Sequence, residues 1–101
     1  MHVNCVLLDM HGEMEDVIVD DSKMCEFMGG EVTFVGAIPN LQVVAIGRSQ
    51  VEDDVCKHGL GDCIEENTRG KILLVGSDEN GEGIPIFSTQ VENFKCSSLK
   101  K

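Results

Sequence analysis

The chain has no tryptophan and no tyrosine, and its only aromatic residues are four phenylalanines. The usual aromatic anchors of an interface are therefore missing. A binding hot spot has to be built from Phe, Met or Arg, and a core from Val, Ile, Leu and Met. Basic side chains are scarce as well: 8 Lys and Arg stand against 18 Asp and Glu, for a formal net charge of -10. The acids are spread along the chain, and no run of Lys and Arg exists that could neutralise several phosphates, which disfavours direct binding to nucleic acid or to an anionic membrane surface. No apolar run approaches the ~20 residues of a membrane span. Before Asp9 the N-terminus offers only Val6-Leu7-Leu8, too short for a signal-peptide core. The expectation is a soluble, intracellular, cytoplasmic protein. Paired cysteine motifs are absent too, since Cys5, Cys25, Cys56, Cys63 and Cys96 are odd in number and irregularly spaced. Reduced thiols are expected.

What is present suffices for one domain. A chain of 101 residues with 42% hydrophobic content can bury roughly two thirds of its unfolded surface and fold without staples. Its strongest local signal is Gly70-Lys71-Ile72-Leu73-Leu74-Val75-Gly76, followed by the acidic turn Ser77 to Gly83 and the apolar return Ile84-Pro85-Ile86. An unbroken aliphatic run between glycines suits a strand buried on both faces, and Asn80-Gly81 is expected to supply the positive backbone angles of a tight turn. Val3 to Asp9 and Glu15 to Val19 read as an opening hairpin about His11-Gly12-Glu13. Asp20-Asp21-Ser22 offers N-caps for a helix of about two turns, which Gly29-Gly30 stops. Its stripe Met24, Phe27 and Met28 is expected to pack on the sheet. Glu31 to Val35 and Leu41 to Ile46 form a further antiparallel pair, and Thr89-Gln90-Val91-Glu92 has the capping-box form for a last helix through Phe94 and Cys96. Lys95, Lys100 and Lys101 suit its negative dipole end, with 97–101 frayed. No internal repeat is evident.

The fold class expected is therefore α+β: a mainly antiparallel sheet of about five to six strands, with two short helices on one face. Between residues 47 and 69 the periodicity fades, and this long connection is expected to be the most mobile part of the domain and the first place to look for recognition. It carries Cys56, His58 and Cys63, which could supply three zinc ligands, although a fourth is missing nearby. The same thiols with His58 as base lack an orienting group and an oxyanion site. Asp78-Glu79-Asn80-Gly81 starts like a calcium loop, but Thr89 stands where a bidentate Glu is required. Gly29-Gly30 and Gly59-x-Gly61 are too sparse for phosphate loops and read as turn glycines. No catalytic, cofactor or metal residue is assigned.

Met28-Gly29-Gly30, the strand Glu31-Val32-Thr33-Phe34-Val35-Gly36, the run Leu41 to Ile46, the strand Gly70 to Val75 with its Asp-Glu-Asn-Gly turn, and the capped last helix together resemble an uncharacterised small-domain family. That family occurs in large DNA viruses and unicellular algae, with a looser likeness to a phage and plasmid domain of unknown function. The resemblance spans Asp20 to Cys96 and implies one compact α+β domain without transferable catalytic residues. With no complete nucleophile, metal or phosphate constellation, the leading expectation is a non-catalytic protein-interaction or accessory module whose partner is another protein. The alternatives are an acidic nucleic-acid mimic that occupies a basic groove, motivated by the net charge and by the viral and phage setting of the resemblance, and a small metal-binding protein that uses the Cys56 to Cys63 loop.

Overall fold

The computed structural model describes residues 2–49, 55–57, 59–60, 63–65 and 68–99. Strands β1 (His2–Leu8) and β2 (Met14–Asp20) form the opening hairpin. A 3-10 turn, Asp21–Lys23, leads into helix α1 (Met24–Met28), and β3 (Val32–Ile38) and β4 (Val43–Arg48) pair antiparallel about a second 3-10 turn at Pro39–Leu41. Strand β5 (Ile72–Ser77), the two-residue β6 (Gly83–Ile84) and helix α2 (Ser88–Leu99) complete the chain. The strands form one antiparallel sheet of order β2-β1-β5-β4-β3, with β6 paired to β5. The α+β expectation holds. As its unbroken aliphatic run predicts, β5 lies in the middle of the sheet, and Ile72 to Val75 are buried on both faces.

β1 pairs with β5 only from Val6↔Leu74 to Leu8↔Ile72. Beyond that point β6 takes over the edge of β5 through Gly76↔Ile84 and Ser77↔Gly83. Asn4 stitches the splayed end of β1 to the chain after β6: its carbonyl accepts from the Ile86 N–H at 2.9 Å, and its side-chain amide donates to the Ile86 carbonyl at 2.7 Å.

The two hairpin loops are the same turn written twice, as Asp9-Met10-His11-Gly12-Glu13 and Asp78-Glu79-Asn80-Gly81-Glu82. In both, the Asp N–H donates to the Glu carbonyl, at 3.0 and 2.9 Å, and the Gly N–H donates to the Asp carbonyl, at 3.1 and 3.0 Å. One Asp carboxylate oxygen accepts the N–H groups of the third and fifth residues, at 2.9 Å in every case. Only the glycines have positive φ, 88° at Gly12 and 80° at Gly81, so Asn80 does not share the left-handed conformation expected of an Asn-Gly step.

Alternation along the strands produces two cores. Val6, Leu8, Ile38, Val43, Ala45, Ile72 and Leu74 face one side, where Val91 and Phe94 of α2 cover them together with Cys56, Leu60 and Ile64 of the long connection. Cys5, Val19, Leu73 and Val75 face the other side, under Met28 and Met24 of α1. The helices therefore lie on opposite faces, and the expectation of both on one face is corrected. The reason is parity: α1 follows β2 with its apolar residues aligned to Val17 and Val19, whereas α2 follows the buried Ile86.

Three further expectations change. Within the α1 stripe Met28 is buried and Met24 half-buried, but Phe27 is 42% exposed, because a helix this short turns only one side to the sheet. The Thr89 to Glu92 capping box does not form: α2 starts one residue earlier, at Ser88, and the Asp16 carboxylate of β2 accepts from the Ser88 N–H at 2.8 Å and from its hydroxyl at 2.9 Å. Gln90 reaches back to the Phe87 N–H at 3.0 Å. Residues 47 and 48 belong to β4, not to the long connection.

Candidate functional site

β2 and β3 are the opposite edges of the sheet, so the chain between them has to cross a whole face, roughly 19 Å for four strand spacings. Residues 21–31 make that crossing on the side of Leu73 and Val75, with α1 as a strap running from the C-terminal end of β2 to the N-terminal end of β3. Gly29 ends the helix in the left-handed conformation, φ 86°, and its N–H and that of Gly30 close on the Cys25 carbonyl, each at 3.0 Å.

One turn of helix cannot cover the face it crosses. Leu7, Val3, Val17, Val32, Val44 and Ile46 stay only half-buried around the second core. On the side of the strap toward the end of β1 and the start of β5 lies a groove of about 400 Å³, lined by Leu7, Met10, Phe27, Met28, Arg48 and Lys71. Leu7 and Met28 come from the sheet and the strap, Phe27 stands at the rim, and Arg48 and Lys71 enter from the end of β4 and the segment leading into β5. The Arg48 guanidinium lies over Gly30, where a Cβ would sit 3.3 Å from Nη2, so the glycine that follows the helix stop makes room for the cation. Among the described residues neither Arg48 nor Lys71 makes a salt bridge, and both are exposed. A shallower depression at the β3 edge is lined by Phe34, Val44, Cys63 and Glu65 among others, with Phe34 70% exposed.

The sequence-predicted candidates sit elsewhere. Cys56 is buried, and its thiol donates to the Asp9 carbonyl at 3.3 Å. Burial, with a smaller contribution from the Asp9 carboxylate, raises its pKa, which works against the thiolate that a zinc ligand or nucleophile requires. Cys63 is half-buried beside the Gly36↔Ile64 bridge, and His58 lies outside the described residues, as does Gly61. No group of three His, Cys, Asp or Glu side chains able to hold a metal occurs among the described residues. The Asp78 carboxylate is directed at its own loop's N–H groups. Cys5, Cys25, Cys56 and Cys63 are free thiols, while the side chains of Lys95 and Cys96 and residues 100 and 101 lie outside the described part.

Reading the sequence missed Arg48 and Lys71, which are 23 positions apart in the chain and meet only through the β4–β5 pairing. A signal did exist: each is a cation directly abutting an aliphatic strand in a chain that has few cations.

Over residues 6–94 the chain matches a family of unknown function, DUF5880. It belongs to that family. No curated protein and no solved structure matches it. The DUF5880 match starts inside β1 and ends inside α2, so it extends the resemblance from Asp20 back to the opening hairpin and includes every residue that lines the groove. In this DUF5880 domain no described helix is long and apolar enough to cross a membrane.

Proposed function

We propose that this DUF5880 domain is a non-catalytic protein-binding module that recognises its partner through the groove beside α1. The observation that carries the reading is the incomplete cover of the second core: an apolar floor lies open beside the strap, flanked by two cations that no carboxylate within the described chain engages. An apolar centre with a few directional polar groups at its rim is the composition of a recognition site. Phe27, Met28 and Arg48 are also the residue types left to build a hot spot once Trp and Tyr are missing. The free thiols suit a reducing compartment, and we place the protein in the cytoplasm.

The acidic-mimic reading, which drew on the net charge and on the viral and phage setting of the resemblance, has less behind it. Asp9, Asp16, Asp20 and Asp78 each accept backbone N–H groups of turns or a helix start, so these four carboxylates serve local structure and are not free to form a phosphate-like row. The test replaces Phe27, at the groove, and Ile18, 70% exposed on the opposite face, with a photo-cross-linking amino acid, one at a time, in an extract of the native cell. A discrete adduct from position 27 and none from position 18 is expected. No adduct at 27 would remove the groove from the reading.

A further inference from the structure

We infer that the occupant of the groove is a short extended peptide segment that pairs a large aliphatic side chain with a neighbouring carboxylate, the carboxylate seated between Arg48 and Lys71. This inference rests on the groove reading above and specifies its ligand. The volume is the first constraint. About 400 Å³ is at the small end of ligand sites, room for a few side chains and not for a folded domain. The lining is the second: Leu7, Met10 and Met28 offer apolar contact, and the two methionines can adjust to side chains of different shape.

Charge sets the third. The chain carries -10 overall, yet among the described residues this groove is lined by Arg48 and Lys71 and by no acidic side chain. A polyanion such as a nucleic acid or an anionic bilayer meets the repulsion of the whole acidic surface. A single carboxylate interacts mainly within about one Debye length, ~8 Å at physiological salt, where the two cations dominate. Arg48 contributes the planar fork that accepts a carboxylate in two parallel hydrogen bonds, and Lys71 contributes a movable point charge. The chemistry that satisfies apolar floor and cationic rim together is an acidic, amphipathic segment of a partner protein.

The experiment uses the whole chain and fluorescein-labelled hexapeptides of alternating leucine and glutamate, leucine and glutamine, or leucine and lysine, with decanoate as a carboxylate that is not a peptide. Polarisation gives affinity, and methyl NMR of Leu7, Met10 and Met28 places the probe. The leucine–glutamate peptide is expected to bind, shift those methyls and lose at least about tenfold in affinity in the Arg48→Gln/Lys71→Gln variant, the scale of one charge-assisted contact. Both side chains are exposed, so an unchanged melting temperature is expected of that variant. Equal affinity for the leucine–glutamine peptide, or an affinity indifferent to the double variant, would overturn the carboxylate assignment. Decanoate that shifts the same methyls and displaces the leucine–glutamate peptide at equal or lower concentration would overturn the peptide assignment. If no probe shifts the groove methyls while position 27 still cross-links, the acidic-segment inference fails and the module reading stands. If position 27 is silent as well, both fail.

Discussion

Gly12 and Gly81 hold the same place in the same turn, yet they differ in what surrounds them. Both have positive φ, so alanine at either carries the left-handed penalty of about 1–2 kcal/mol. Around Gly81 an added Cβ meets nothing, whereas at Gly12 it would overlap the Lys57 carbonyl oxygen, because the first loop is docked against the long connection. Gly81→Ala is therefore expected to cost about 1–2 kcal/mol, and Gly12→Ala about 1–3 kcal/mol more, since backbone has to move. Urea unfolding of the two variants checks the difference, and equal costs would mean that the docked contact yields freely. Phe27 makes the complementary point. Helical spacing alone places it with Met24 and Met28 in the core, but at 42% exposure Phe27→Ala should cost only about 1 kcal/mol, against about 2–5 kcal/mol for Leu73→Ala at the centre of β5. Thermal melts of both variants decide, and a large loss at Phe27 would show that α1 packs more deeply than its exposure indicates.

The elements differ in how far local sequence determines them. β1, β4 and β5 were legible because each buries several aliphatic side chains between turn residues, β2 because Val17-Ile18-Val19 lies just across the turn from β1, and the stop of α1 because Gly29 satisfies a need that is internal to the helix end. The start of α2 was not. Its first residues include a plausible local cap, Thr89 with Glu92, but Asp16 on a strand 72 residues earlier reaches the helix one residue sooner, and nothing near Ser88 in sequence shows it. Strand β6 stops at Ile84, short of the end of the apolar return Ile84-Pro85-Ile86, since Ile86 packs into the first core instead of extending the ladder. The aspartates that close these elements have a consequence for pH. Hydrogen bonds from the Ser88 N–H and hydroxyl hold Asp16 below the usual carboxylate range. The Ser22 hydroxyl and N–H pull Asp20 down to about 2, and the Glu13 N–H lowers Asp9. A carboxyl whose folded pKa is depressed adds stability above its unfolded pKa, near 4, and that stability is lost as pH falls through the folded value. The domain should thus lose stability progressively from about pH 4 toward pH 2. In Asp16→Asn part of that acid dependence should vanish, and the amides of Ser88 and Thr89 should exchange faster at neutral pH. An unchanged acid profile, followed by circular dichroism, would show that the carboxylate is not what starts α2.

At the scale of the whole molecule the sheet was readable and its two coverings were not. Hydrophobic alternation fixes which residues share a face but not which helix crosses to it, so the diagonal strap of α1 and the groove beside it depend on a strand order, β2-β1-β5-β4-β3, that no local pattern encodes. The long connection shows the same limit. Its faded periodicity suggests mobility, yet its described residues complete the first core. Cys56, Leu60 and Ile64 are buried against the sheet, and Val55↔Arg69 and Gly36↔Ile64 bridge it to itself and to β3. Its backbone is tied by Cys56 N–H to Thr68 carbonyl at 2.8 Å, Lys57 N–H to Met10 carbonyl at 2.9 Å and Glu65 N–H to Val35 carbonyl at 2.8 Å. These ties need no metal, because both partners in each are main chain. The amides of Cys56, Lys57 and Glu65 are accordingly expected to exchange as slowly as those of β4, with or without chelator, and Leu60→Ala or Ile64→Ala to cost about 2–5 kcal/mol as ordinary core truncations. Fast exchange at these amides would return the connection to the role of a free loop. Protection that collapses on adding chelator would instead show that Cys56 and Cys63 hold a metal, and would replace backbone pairing as the reason this wall of the core stands.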